Sequence, residues 1–190
     1  MHSSETKLDE SDFTRFNDEL EENASPYSTD SEELEEAVVC SQSTPISLSR
    51  LAYRRLTVLL STLTPRRRRI AQCMALALNH AYAAKQVAKI VSESLLELTT
   101  PIARKVARLY VVSDILYNSA APVPHAWQYR DAFYPYLGPI FTHFRQVLHS
   151  LPGRIKAHAF HRQISNVLEV WDQWLVYPPM LLQQLRDKLQ

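Results

Sequence analysis

The sequence predicts an all-α fold, and three observations support this prediction. From Pro45 onward, apolar residues recur at the three- and four-residue spacing of amphipathic helices. No segment shows the alternation of apolar and polar residues that is typical of a half-buried strand. The chain has 2 glycines and 11 prolines, and most prolines of this region stand between the apolar segments, where helices end or begin. We therefore expect about eight short helices, packed as a bundle or as a curved stack of hairpins.

The first four helices are bounded by serine, threonine and proline. Ser47 or Ser49 can cap the first helix. Thr64 is predicted to cap the second, with Pro65 at its first helical position. The sequence Thr99-Thr100-Pro101 predicts the same kind of start for the fourth. We place these helices at about 47–62, 65–80, 83–98 and 101–119.

The remaining four helices are separated by proline and glycine. The separators are the loop at 120–127, Gly138-Pro139, Pro152-Gly153 and Tyr177-Pro178-Pro179. We place the helices at about 127–137, 140–151, 154–174 and 179–189. The seventh helix is expected to bury a stripe that consists of Phe160, Ile164, Val167, Leu168, Trp171 and Trp174.

Charge divides the chain into two parts, although the overall net charge is only +1. Residues 1–44 hold 13 acidic and 2 basic residues, a net of −11, whereas residues 45–190 hold 7 acidic and 19 basic residues, a net of +12. The first part is too acidic and too poor in large apolar side chains to fold alone, so we predict a disordered acidic arm over 1–44. A short helix over 32–39 can form within this arm. The helical domain over 45–190 favours an anionic partner: nucleic acid, a phosphopeptide, acidic lipid or its own arm.

The composition excludes several classes of function. Two glycines cannot supply a phosphate loop or a dinucleotide fingerprint. Cys40 and Cys73 cannot build a disulfide framework or a four-cysteine zinc site, and Cys73 is expected in the core. His158 and His161 lack an evident third metal ligand, so we expect surface histidines, no metal and no cofactor. With seven acidic residues in the helical part, an enzyme is poorly supported. The sequence shows no apolar run of 18 residues and no basic-then-apolar leader, so we expect no membrane segment and no secretion signal.

The predicted fourth helix carries an unusual stripe. At about 100° per residue, Ala103, Ala107, Tyr110, Asp114 and Asn118 fall within roughly one quadrant. Small residues would let another chain approach, and Asp114 and Asn118 could form hydrogen bonds to it. The alternative is that Asp114 is buried and satisfied by Asn118 or an arginine.

Four consecutive arginines, Arg66 to Arg69, lie at the start of the predicted second helix. The helix dipole disfavours cations at this end of a helix. Four arginines here break that local preference, and such exceptions are expected at functional sites. Together with free backbone N–H groups, the guanidinium groups suit a phosphate. A solvated basic face and a nuclear-import signal are the alternatives.

Several separated blocks resemble one family. They are Leu63-Thr64-Pro65-Arg66-Arg67, Ser92-Glu93-Ser94-Leu95, Ala107-Arg108-Leu109-Tyr110 with Ser113-Asp114-Ile115-Leu116-Tyr117-Asn118-Ser119, and Trp171-Asp172-Gln173-Trp174 followed by Tyr177-Pro178. In order and spacing they are similar to the CTD-interacting domain (CID) of the U2 snRNP-associated SURP-motif splicing protein family, over about 47–190.

The resemblance implies a right-handed stack of about eight helices, a superhelix like that of VHS and ENTH domains. It implies binding of the phosphorylated heptad tail of RNA polymerase II in a groove beside helices two, four and seven. By position, the implied groove residues are Tyr110, Ser113, Asp114, Asn118, Arg162 and Asn166. The basic candidates for phosphate binding are Arg66, Arg67, Arg104 and Lys105.

Three departures from the family pattern stand out. Some relatives carry the groove aspartate one residue earlier, where this chain has Ser113. Relatives that read phosphoserine well have an arginine where this chain has Asn166, and Arg162, one turn earlier, is the candidate substitute. An RNA-recognition domain and a SURP module do not fit in residues 1–44, so the resemblance implies at most indirect contact with RNA.

The resemblance implies a monomeric nuclear splicing or processing factor that binds the phosphorylated polymerase tail. The alternative is a structural subunit of the spliceosome, near the U2 snRNP, that uses the same surface for protein or snRNA-backbone contacts. A third hypothesis, binding to acidic lipid, lacks an amphipathic lead helix. Residues 24–32 loosely resemble a polymerase heptad with acids in place of phosphates, so the arm could also occupy the groove.

Overall fold

A computed structural model describes residues 47–189 of the chain, and within that range every regular element is helical. The predicted arm over 1–44, its short helix and its heptad-like segment lie outside the described residues. Seven α-helices are found in the described part, with a short 3₁₀ turn over Ala81–Ala83. They are α1 (Arg50–Ser61), α2 (Arg67–Asn79), α3 (Ala84–Leu96), α4 (Ile102–Asn118), α5 (Gln128–Ser150), α6 (Arg154–Gln173) and α7 (Pro179–Leu189). The all-α prediction is confirmed.

The helices form two rows, because the principal packing is between alternate helices. One row consists of α2, α4 and α6, and the other of α3, α5 and α7. Helix α1 lies against α2 and α3. Helix α4 is therefore flanked by α2 on one side and by α6 on the other.

Aromatic side chains fill the space around α5 and α6. Trp171, Phe141, Phe144 and Phe160 are each at most 1% exposed. The rings of Phe144 and Phe160 meet edge to face with centroids 5.6 Å apart, and those of Phe141 and Trp171 at 6.4 Å. Within residues 47–189, no helix is both long and apolar enough to span a bilayer.

The predicted helix starts are only partly confirmed. Ser49 caps α1, with its hydroxyl accepting from the Ala52 N–H at 3.2 Å. Thr64 does not cap α2, which begins two residues later with Arg66 in an extended conformation at its N-cap. The reason is that Leu63 is buried and its carbonyl oxygen accepts from Arg104 Nε at 3.3 Å, so the connection needs extra extended residues.

Thr100 is not a cap either. Pro101 occupies the N-cap position of α4. The buried Thr100 hydroxyl instead donates to Glu97 Oε2 and accepts from Arg108 Nη1, both at 3.0 Å. It therefore links the end of α3 to the interior of α4.

The predicted separator at Gly138-Pro139 is wrong, because one helix of 23 residues, α5, runs through it. Pro135 and Pro139 are four residues apart and both exposed. They therefore share one solvent-facing side, where the carbonyl oxygens that lose an N–H partner can bind water. Buried residues on the other side, including Phe133, Leu137 and Phe141, hold the helix together.

Candidate functional site

The site is built on α4, and two hydrogen bonds define how that helix is oriented. Ser113 Oγ accepts from Trp171 Nε1 at 3.1 Å, so this side of α4 faces α6. Arg104 Nε donates to the Leu63 carbonyl oxygen, so the other side faces the α1–α2 connection. Between them runs a partly exposed surface that we call the α4 strip. It consists of Ala103, Tyr110, Asp114, Tyr117 and Asn118.

Asp114 is the central acceptor of the α4 strip. Its side chain is half-buried, and no hydrogen bond or ion pair reaches its carboxylate from residues 47–189. Burial raises the pKa of this carboxyl group, and the charge of Arg67 on α2 opposes that rise. A partly desolvated carboxylate with unused lone pairs favours a hydrogen-bond donor from a ligand.

Asn118 lies one turn after Asp114 and is oriented by it. Asn118 Nδ2 donates to the backbone carbonyl oxygen of Asp114 at 2.8 Å. Its Oδ1 therefore points away from that contact and accepts no hydrogen bond from the described residues. The alternative in which Asn118 satisfies the Asp114 carboxylate is wrong, because the bond goes to the backbone. The strip thus presents two hydrogen-bond acceptors that lie one turn apart on the same helix.

An exposed aromatic pair stands at the end of the strip. The rings of Tyr117 and Trp174 have centroids 4.3 Å apart, and the two residues are 53% and 42% exposed. The prediction that Trp174 belongs to the core is wrong, although Trp171 is buried as expected. Helix α6 ends at Gln173, and Leu175 has a positive φ of 51°, so the chain leaves the helix before Trp174 can turn inward.

Two of the predicted site residues are not available to a ligand. Ser113 is 6% exposed and is held by the Trp171 bond. Lys105 is 1% exposed, and its Nζ donates to the carbonyl oxygens of Leu95 at 3.0 Å and Glu97 at 2.5 Å. Both assignments to the binding surface are corrected: Ser113 orients α4, and Lys105 satisfies carbonyl groups that the end of α3 leaves without partners.

Arg108 acts in the same way as Lys105, and sequence reasoning missed it. Its Nε and Nη2 donate to the Leu60 carbonyl oxygen at the end of α1, at 3.2 and 3.0 Å. Its Nη1 donates to the Ser94 carbonyl oxygen and lies 3.6 Å from Glu97 Oε2. Burial lowers the pKa of Arg108, and Glu97 opposes that shift. A signal was present in the sequence, since positions 105 and 108 lie opposite the α4 strip at 100° per residue.

The arginines at the start of α2 are exposed. Arg66, Arg67, Arg68 and Arg69 are all accessible, and the first turn of α2 holds no acidic side chain. Of the four, Arg67 lies where its charge acts on Asp114. Arg104 is half-buried, and its Nε is engaged with Leu63. The charge of Arg67 therefore acts at the α4 strip, and Arg66 lies beside Arg67 along the chain.

Arg162 and Asn166 are both exposed on α6. Arg162 borders an open hollow together with Arg154, Ile155, His158 and Ala159. All of these residues belong to the first part of α6, and none comes from α4. The structure therefore groups Arg162 with Arg154 of its own helix rather than with Asp114.

Comparison with known proteins decides the family. A family model described as the CID domain matches residues 54–185, which extend from α1 into α7. The chain belongs to the CID domain family. This family is one of protein-interaction domains with a helical superhelix fold, and the two helical rows fit that description.

Curated relatives are similar to this CID over part of its length. Protein RRC1-like and Protein RRC1, both of Arabidopsis thaliana, are each 40% identical, over 128 and 129 residues. These stretches cover 67% and 68% of this chain but only 14% of each relative. An uncharacterised protein of Schizosaccharomyces pombe is 28% identical over 81 residues, which cover 43% of this chain and 17% of that protein.

The remaining candidates of the CID lie apart from the α4 strip. His158 and His161 are exposed, and the described residues contain no group of three or more side chains placed to hold a metal ion. Cys73 is fully buried, and burial raises the pKa of its thiol to about 11. The cysteine is thus a core residue, as predicted.

Proposed function

We propose that this CID belongs to a nuclear pre-mRNA processing factor and that the α4 strip binds the phosphorylated C-terminal heptad tail of RNA polymerase II. The observation that carries the proposal is the half-buried Asp114 carboxylate, which no described residue bonds and which faces the charge of Arg67. Family membership and the resemblance to splicing-associated CIDs supply the identity of the guest. Recognition, rather than catalysis, is the role proposed for this surface.

The acceptors of the strip suit an extended peptide. Asp114 would accept from a tyrosine hydroxyl or from a backbone N–H in a turn of the tail. Asn118 Oδ1 would accept from a second backbone N–H, because Nδ2 is already used on the Asp114 carbonyl oxygen. Tyr117 and Trp174 offer an apolar surface at one end, against which proline or tyrosine of the heptad can pack.

Phosphate binding is assigned to α2. A phosphoserine adds about −1.5 to −2 charges and forms strong hydrogen bonds with guanidinium groups. Arg67 is the arginine whose charge reaches the strip, and Arg66 precedes it with an exposed side chain. Arg162 borders a different hollow, so we give it no part in the first contact with phosphate.

Calorimetric titration with unphosphorylated, singly and doubly phosphorylated heptad peptides tests the proposal. A single open strip predicts micromolar affinity, about −8 kcal/mol. Asp114→Asn should weaken binding of every peptide, whereas Arg67→Gln should weaken only the phosphorylated ones. Glu169→Gln and Arg154→Gln alter exposed charges of α6 and serve as matched controls. Equal affinity of all variants for all peptides would refute the assignment.

A second candidate function is favoured by Asn166. This exposed residue stands where phosphate-reading relatives have an arginine. Its presence supports a structural subunit, associated with the U2 snRNP, whose strip binds a spliceosomal protein or the snRNA backbone without the polymerase. Affinity purification of the full chain from nuclear extract separates the two: polymerase should be recovered with wild type and lost with Asp114→Asn, and recovery of spliceosomal proteins alone favours the subunit.

A further inference from the structure

The distribution of charge along the chain is more uneven than the two overall sums indicate. Residues 47–92 contain nine basic residues and no acidic residue. Residues 18–36 contain nine acidic residues and no basic residue. The most acidic segment of the chain is therefore separated from its most basic helices by only ten residues.

The basic helices present their charge to solvent. Arg50 and Arg54 on α1, and Arg66 to Arg69 at the start of α2, are all exposed. We call these six side chains the α1–α2 arginine surface. The ion pairs found within residues 47–189 are Lys89–Glu93, Arg108–Glu97 and Arg186–Asp172, so none of the six arginines has a carboxylate within 4 Å in that range.

Exposed apolar side chains accompany these arginines. Leu51 and Val58 on α1 are 41% and 53% exposed. At 100° per residue, they lie on the same outward side of α1 as Arg50 and Arg54. A partner that combines carboxylates with a few aliphatic side chains would match this surface, and residues 32–39 of the chain, EELEEAVV, have that composition.

We infer that the acidic segment 18–39 of this chain binds the α1–α2 arginine surface of the same molecule. Charge complementarity favours this occupant. The covalent link favours it further, because a short tether gives the two surfaces a mutual concentration of about millimolar order. The seven residues 40–46 that connect the segment to residue 47 can span about 25 Å when extended. Helix α1 is only about 18 Å long, so the acidic side chains can reach all of it.

Binding of the arm has a consequence for ligands of the α4 strip. Arg67 belongs to the arginine surface and also acts on Asp114. An arm that neutralises this surface would compete with an anionic guest at the strip. This consequence rests on the proposed function, whereas the docking of the arm itself does not.

Paramagnetic relaxation enhancement on the full chain tests the docking without any ligand. A nitroxide is placed at Ser25→Cys in a Cys40→Ser background, because Cys73 is buried and its raised thiol pKa makes it unreactive. Amide signals of α1 and of the start of α2 should broaden more than those of α6 and α7. Broadening should decline in 0.5 M salt, since screening weakens contacts between exposed charges.

Charge variants separate docking from the effect of the tether. The arm is neutralised with Glu32→Gln, Glu33→Gln, Glu35→Gln and Glu36→Gln. This variant should reduce the broadening to the level that is expected when the arm is attached to the domain but does not bind it. Arg50→Gln, Arg54→Gln and Arg68→Gln together should do the same. The matched control Arg145→Gln, Arg154→Gln and Lys156→Gln removes as many exposed cations from α5 and α6 and should change nothing.

Two results would overturn the inference. One is broadening that neither salt nor the arm variant changes, which is the signature of a tether alone. The other is broadening centred on α6, which would place the arm on the wrong surface. If the arm docks, the neutralised arm should also tighten binding of a phosphorylated heptad peptide by roughly 3- to 10-fold, as expected when an internal competitor occupies most molecules. Docking without this gain would leave the inference standing and would show that the arm does not compete with a guest at the α4 strip, whereas failure of wild type to bind any heptad peptide would contradict the proposed function alone.

Discussion

The indole N–H of Trp171 donates to Ser113 Oγ at 3.1 Å, and this bond fixes which side of α4 faces α6. Asp114, the next residue, is thereby turned about 100° away from that contact and toward solvent. Two neighbouring polar residues of similar size thus have opposite roles. One holds the helix in place, and the other is available to a ligand.

Removing the Ser113 hydroxyl should destabilise the domain. In Ser113→Ala, the buried indole N–H of Trp171 loses its acceptor, at a cost of about 1–3 kcal/mol. Urea denaturation of Ser113→Ala, Trp171→Phe and the double variant measures the pairwise contribution. The double variant should lose less stability than the sum of the single variants. Strict additivity would show that the bond contributes nothing.

Lys105 should produce a distinct pH dependence of stability. Burial, and secondarily Arg108, lowers its pKa to about 8, with Glu97 opposing, whereas an unfolded lysine keeps a value near 10.5. Between these values the unfolded chain binds more protons, so this residue makes the free energy of unfolding rise with pH. Urea denaturation from pH 7.5 to 10 should show a steeper rise of the free energy of unfolding above about pH 8 in wild type than in Lys105→Met.

Comparison with the variant is essential in this experiment because other groups titrate nearby. His143 Nε2 lies 2.9 Å from Lys105 Nζ, and the pKa of His143 is lowered by burial and then by Lys105. The raised pKa of Cys73 acts in the opposite direction above pH 9. Parallel pH profiles for wild type and Lys105→Met would contradict the assignment.

Gly138 and Pro139 should be replaceable by alanine. A Cβ at Gly138 would meet Lys188 Cε at 3.6 Å, an ordinary contact, and Gly138→Ala should stabilise α5 by about 0.5–1 kcal/mol. Pro139→Ala restores an N–H donor for the Pro135 carbonyl oxygen and should raise the thermal midpoint by a few degrees, roughly 1 kcal/mol. Calorimetry checks both variants. A lower thermal midpoint for both variants would mean that α5 requires the backbone conformation that Gly138 and Pro139 give it.

The Tyr117–Trp174 pair should contribute to binding rather than to folding. Both residues are about half exposed, so Tyr117→Ala should change the free energy of unfolding by less than about 1 kcal/mol. If the pair contacts the peptide, the same variant should lower heptad affinity about 5- to 10-fold, the range of a single aromatic contact of 1–1.5 kcal/mol. Tyr134→Ala, at a similarly exposed tyrosine of α5, is the control. A large loss of stability would show that the pair is structural.

The fold class and part of the α4 strip could be predicted from periodicity, although Ala107 of the predicted stripe is buried and Tyr117 was not included in it. Apolar residues at helical spacing predict each helix, and the same rotation of 100° per residue places Tyr110, Asp114 and Asn118 on one side of α4. For residues at the edge of that side, the direction of the side chain could not be predicted without knowing how the helices pack. Ser113 turns inward only because Trp171 of α6 meets it, and no local pattern contains that partner.

The other corrections have the same origin. The side chain of Lys105 is long enough to reach the end of α3, so a cation that local sequence places on a helix surface becomes a buried donor. Gly138-Pro139 is a strong helix-ending signal, yet the buried face of α5 continues through it and tertiary packing overrides local propensity. Trp174 fits the spacing of the buried stripe, but α6 ends at Gln173, so the helical spacing no longer determines where Trp174 lies.

The most direct measurement of the central claim is amide chemical-shift mapping of the ¹⁵N-labelled full chain during titration with a doubly phosphorylated heptad peptide. We expect the largest shifts at Tyr110, Asp114, Tyr117 and Asn118, with smaller shifts at Arg66 and Arg67, and we expect Asp114→Asn to raise the peptide concentration that is needed for saturation. Shifts confined to Arg154, His158 and Arg162 on α6, or saturation unchanged in Asp114→Asn, would contradict the claim that the α4 strip is the binding site.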